Sequence, residues 1–147
     1  MKRIKPFEEA ELMFSTFKDF SKCYNIITSQ LNILQSRHQM MLTLATLTLT
    51  ITGFSGPKMA ASNDISKYSM IIGIFWVLLS IIAILLSSIN LVWFTQFHGE
   101  TDEETLELLI ERRNLRTKMF HGQLFMLVIG LTAYVIAVMG YLYLGGK

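Results

Sequence analysis

Charge is missing from three long stretches of this 147-residue chain: His38–Pro57, Tyr68–Gly99 and Met119–Gly146 contain no Asp, Glu, Lys or Arg. Proton relays, voltage sensors and coupled transporters are built on ionisable groups inside apolar spans, so those functions are set aside first. Cysteine is reduced to Cys23, which rules out a disulfide framework. No Asn-x-Ser/Thr sequon is present. A hydrolase would need a base, yet the charge-free stretches hold no carboxylate, no motif serine and no Cys/His pair. His38, His98 and His121 include no pair at the i, i+4 spacing that marks a helical metal site. No catalytic residue, metal or cofactor is expected, and the chain reads as a non-enzyme.

What the chain has in excess is apolar side chains, 52% of its residues. A hydrocarbon core about 30 Å thick needs ~20 apolar residues in a helix, and each charge-free stretch can supply them. The expected fold is all-α: a polytopic membrane protein with three transmembrane helices and a cytoplasmic helical extension. Residues 1–38 are expected as a cytoplasmic amphipathic helix with heptad patterning, 39–56 as the first transmembrane helix and 57–68 as an external loop. The second transmembrane helix then covers 69–97, a cytoplasmic helix 98–121 and the third transmembrane helix 122–145. With the first apolar run starting near residue 39, no cleavable signal peptide is expected.

Basic residues set the expected orientation. Lys2, Arg3, Lys5, Lys18, Lys22 and Arg37 precede the first span, and Arg112, Arg113, Arg116 and Lys118 lie between the second and third. Only Lys58, Lys67 and Lys147 fall on the other side. The positive-inside rule places the N-terminus in the cytoplasm and the C-terminus outside, in a plasma membrane (the inner membrane if the source is bacterial). Arg37, Arg112, Arg113, Arg116 and Lys118 stand close to the spans and are assigned to lipid headgroups. Membrane lipid is thus an expected partner, and nucleic acid is not.

The N-terminal segment carries a second pattern. Met13, Phe17, Phe20, Tyr24, Ile27, Leu31 and Leu34 recur at alternating spacings of four and three, the heptad seam of a helix packing lengthwise on another. With Pro6 at a first-turn position, one helix is expected to run from about residue 6 into the membrane. The seam continues through His38, Met41, Ala45, Thr48 and Thr52 and ends at the stop signals Gly53, Ser55, Gly56 and Pro57. It serves packing within one chain or between copies equally well. Small-residue seams for close helix contact occur at Gly73, Ser80 and Ser87 on the second span, and at Gly130, Ala133, Ala137 and Gly140 on the third. Thr101 with Glu104 predicts a capping box, and the acids-then-bases order from Glu103 to Lys118 suits a helix macrodipole.

At 100° per residue, Gln39, Thr43, Thr46, Thr50 and Gly53 fall within an arc of about 80°, away from the seam. Two readings of this stripe stand. It lines a hydrated, uncharged pore built from several copies, or its hydroxyls bond back to the preceding turn and simply tolerate lipid or protein contact.

The helix Phe7–Leu34 leading through Ser36, Arg37 and His38 into the first span, and Glu111–His121 leading into the third, give the chain a layout. That layout resembles small helical membrane effectors of bacterial antiphage defence, the SLATT and Pycsar-type transmembrane modules. The resemblance implies a homo-oligomeric pore that permeabilises or depolarises the membrane when triggered, with a cytoplasmic sensor or effector protein as partner. The alternative is a non-conducting accessory or scaffold subunit that docks to a larger membrane complex through its long N-terminal helix.

Overall fold

The computed structural model describes residues 4–89 and 101–144. These form four helices, α1 (Pro6–Phe17), α2 (Phe20–Ala60), α3 (Asp64–Ile89) and α4 (Asp102–Leu144). No strand occurs among the described residues. The inner end expected for the second span, 90–97, and the turn at His98 and Gly99 lie outside them.

Local chemistry sets most boundaries. Pro6 opens α1, and the Glu8 carboxylate accepts the Lys5 N–H at 3.4 Å. The expected single N-terminal helix is corrected here. Lys18 adopts a left-handed conformation (φ 48°), and its N–H closes α1 on the Phe14 carbonyl at 2.9 Å. The Asp19 carboxylate then accepts the Ser21 N–H at 2.9 Å and starts α2 as an N-cap. A second correction concerns the stop at Gly53–Pro57. Proline lacks a donor and crowds the carbonyl four residues back, yet α2 continues through Pro57 to Ala60, where Met59 is buried against Met70 and Ala137. Asn63 next caps α3, accepting the Ser66 N–H at 2.7 Å. Thr101 caps α4 through the Glu104 N–H at 3.2 Å. Because α4 runs unbroken through Gly122 to Leu144, Arg112 to Lys118 are mid-helix, and a dipole acting only at the ends does not reach them.

Two of the helices are long and apolar enough to cross a membrane: Asp64–Ser87 within α3 and the helix Asp102–Leu144. The expected third, 39–56, is helical within α2 but is not among them. Its five threonines and Gln39 dilute the apolar content.

The described residues divide into two compact units, to both of which α2 and α4 contribute. The first takes 4–37 and 101–119, the second 38–89 and 120–144. In the first, Ala10, Cys23, Ile27, Leu31, Leu106, Leu109 and Ile110 form the core, edged by Met13, Phe14, Phe20 and Tyr24. Phe17, expected on the seam, is exposed, because the chain leaves the helical path at the next residue.

In the second unit each helix buries one heptad row. On α2 this is Met41, Ala45, Thr48, Thr52 and Met59; on α3, Ser66, Met70, Gly73, Val77, Ser80 and Ile84; on α4, Phe120, Gln123, Leu127, Gly130 and Ala137. Many of these residues are small or polar, and the closest approach is made by glycine. A Cβ on Gly73 would stand 3.0 Å from the Gly130 carbonyl oxygen. One on Gly130 would stand 2.7 Å from Val77 Cγ2 and 3.0 Å from the Val77 nitrogen. Gly122, by contrast, has nothing within 4 Å of such a position.

Gly130→Ala should therefore destabilise the chain by about 1–3 kcal/mol, as overpacking against backbone does. Gly122→Ala should stabilise it by about 0.5–1 kcal/mol, because alanine is the better helix former. Thermal unfolding of both variants in detergent checks the contrast, and equal effects would contradict the close approach.

Candidate functional site

The stripe expected to line a pore lies on the outward face of α2. Gln39, Thr43, Thr46, Thr50 and Gly53 are all exposed, while Ala45, Thr48 and Thr52 face the interior of the second unit. The hydroxyl of Thr43 donates to the Gln39 carbonyl at 3.0 Å, that of Thr46 to Leu42 at 2.8 Å, and that of Thr50 to Thr46 at 2.9 Å. Each hydroxyl proton is thus committed to the helix backbone, and what the oxygen shows outward is lone-pair acceptor capacity. Beside the stripe runs an exposed apolar ridge of Met40, Leu44, Leu47, Ile51 and Phe54.

The outward faces of the other two helices differ. From Ile71 to Leu86 the exposed residues of α3 are Ile, Leu and Phe. From Leu124 to Leu142 those of α4 are apolar apart from Thr132, which bonds back to the Val128 carbonyl at 2.8 Å. A row of polar side chains therefore faces outward on α2 alone in this unit.

Thr48 and Thr52, which face inward, bond back within α2 to the Leu44 and Thr48 carbonyls at 2.8 and 2.7 Å, while other inward polar groups reach neighbouring helices. Gln123 is buried, and it joins all three helices of the second unit. Its amide donates to the Ala83 carbonyl at 2.9 Å, its side-chain oxygen meets His38 Nε2 at 2.8 Å, and its backbone carbonyl accepts the Ser80 hydroxyl at 3.1 Å. With the amide nitrogen spent on Ala83, the oxygen must accept, so His38 carries a proton on Nε2. Further along, Ser66 donates to the Ala137 carbonyl at 3.0 Å and Asn63 to the Gly140 carbonyl at 3.1 Å. Ser87, Ala133 and Gly140 are half-buried on the same seams. The readable signal for Gln123 was an amide on a heptad row of an otherwise apolar stretch.

The basic residues separate into different roles. Arg37 and Lys118 are exposed. Arg113 is turned to the protein: its guanidinium grips Glu9 with two bonds of 2.8 Å and reaches Gln30 and Asn114 at 2.9 Å. Its headgroup assignment is corrected, since this fork ties α1 and α2 to α4 and leaves no donor pair for a lipid. Spacing along the sequence could not reveal a pairing that spans 104 positions.

The N-terminal seam is consumed within the chain. Ile27, Leu31 and Leu34 are buried, and Met13, Phe20 and Tyr24 are partly so. Among the described residues no three His, Cys, Asp or Glu side chains gather into a group that could hold a metal. Comparison with known proteins returns no matching family model, no similar curated protein and no matching solved structure.

Two outcomes follow for the first unit. A double-mutant cycle of Glu9→Gln and Arg113→Met, read by chemical unfolding, should return a coupling of about 2 kcal/mol, the value of a charge-assisted pair; additive effects would contradict the clamp. Cys23 is fully buried and its thiol donates to the Met13 carbonyl at 3.5 Å. Burial first, and the Asp19 carboxylate second, push this thiol up. Iodoacetamide at neutral pH should accordingly label Cys23 far more slowly in the folded chain than in the unfolded one.

Proposed function

We propose that this chain is a homo-oligomeric membrane protein whose copies surround a pore lined by the Gln39–Gly53 face of α2. Its opening would depolarise or permeabilise the membrane on a signal from a cytoplasmic partner. The observation that carries this reading is the outward polar row on α2, set against the apolar outward faces of α3 and α4. In hydrocarbon, a polar row is best placed against protein or a water-filled axis.

Membrane location rests on an inside-out distribution. Only 28% of the most apolar part of α3 and 17% of that of α4 are buried within the chain. A core helix of a water-soluble protein would hide most of that surface, whereas lipid welcomes it. In this reading α2 residues 39–56 cross together with α3 and the 122–144 part of α4, and their less apolar composition is offset by packing against those helices. The basic residues before residue 38 and within 112–118 favour a cytoplasmic N-terminus. The accessory-subunit alternative loses support, because the seam through which it would dock is already covered by the chain's own helices.

The wall that results is uncharged and presents hydroxyl oxygens as acceptors, an environment that favours cations over anions weakly. Replacing Thr43, Thr46 and Thr50 together with Leu should abolish conductance in planar bilayers while the oligomeric mass in nanodiscs stays unchanged. Reversal potentials of the unmodified protein should favour cations. Undiminished conductance in the triple variant removes the stripe from the pore wall, and a monomer in nanodiscs removes the pore.

A further inference from the structure

Pro57 lies inside α2, four residues after Gly53, the last residue of the outward polar row. An α-helical carbonyl accepts the N–H four residues ahead. Proline carries no N–H, so the Gly53 carbonyl lacks the partner that the other carbonyls of the row keep. No side chain among the described residues replaces it. Of the hydroxyls beside it, Thr50 donates to the Thr46 carbonyl and Ser55 to the Ile51 carbonyl. Gly53 and Pro57 are both exposed, and nothing stands within 4 Å of where a Cβ on Gly53 would be. At 100° per residue Pro57 falls about 40° from Gly53, inside the arc of the row, whereas Lys58 falls outside it.

A backbone carbonyl is a strong acceptor, and leaving it unpaired costs free energy wherever water is scarce. Peptide dipoles run along the helix axis, so this oxygen points toward the C-terminal end of the crossing, the outer mouth of the proposed pore. Each copy brings one such oxygen to an uncharged wall. Carbonyl oxygens set in a ring replace the hydration shell of an alkali cation. We propose that the Gly53 carbonyls, freed by Pro57 and supplied one per copy, bind a monovalent alkali cation at the outer end of the row. This site rests on the pore reading and sharpens it: the threonine face favours cations weakly, and the Gly53 ring holds one.

The test uses the full chain in planar bilayers and nanodiscs, with potassium as the probe ion and N-methylglucamine as the bulky control cation. Conductance of the unmodified chain should saturate as potassium rises. In Pro57→Ala the restored N–H reclaims the carbonyl, and half-saturation should need about fivefold more potassium. Pro57→Gly should do the same, which separates the N–H from the shape of the side chain. An isotope-labelled Gly53 carbonyl should shift its infrared band when potassium replaces N-methylglucamine, and Pro57→Ala should lose that shift. Unchanged half-saturation in both variants overturns the site and leaves the pore standing. A carbonyl band that responds equally to both cations overturns the alkali ion as the occupant. An unmodified chain that does not conduct overturns the pore, and the ring with it.

Discussion

Gly73 and Gly130 meet with a gap too small for a methyl group, and the second unit is organised around that approach. Two helix backbones come this close only where neither carries a side chain. Once they are there, short polar groups can cross between helices: Ser66 reaches the Ala137 carbonyl, Asn63 the Gly140 carbonyl and Ser80 the Gln123 carbonyl. Each of these bonds would lengthen beyond use if the helices moved apart by the width of a leucine. Close packing and polar bonding are therefore one constraint in this unit. Gln123 extends it to α2 through His38.

The two units differ in what they bury and what they expose. The first hides Ile27, Leu106, Leu109 and Ile110 and exposes most of its charges, as a water-soluble helical core does. The second buries glycine, serine, threonine and glutamine among its apolar residues and exposes many isoleucines, leucines and phenylalanines. One chain satisfies both because α2 and α4 carry a heptad row throughout and change only the residues that occupy it. The row is mostly bulky and apolar in the first unit; in the second, glycine, alanine, serine, threonine and glutamine alternate with larger apolar residues.

Use of the seam inside the chain changes what is left for partners. With Ile27, Leu31 and Leu34 covered, the long helix has no free apolar row there to offer another protein. What remains outward is the threonine face of α2 with its apolar ridge. The pore wall proposed above would occupy that face.

Helix content, the heptad row of α2 and the glycine seams were all legible in the sequence, because periodicity reports which face is buried whatever buries it. The row from Ile27 to Thr52 is the buried one in the structure. Periodicity is blind to a break that preserves phase, so the Lys18–Asp19 turn passed unnoticed between Phe17 and Phe20. The helix α2 runs past the stop read at Pro57, with Met59 buried beyond it. Partners far apart in the chain were likewise beyond reach: Glu9 for Arg113, and His38, Ser80 and Ala83 for Gln123. The sequence by itself determined that the chain is helical and which faces its helices bury. Only the tertiary structure decided that the seam closes within one chain and that Arg113 pairs with Glu9, because both depend on which helices meet.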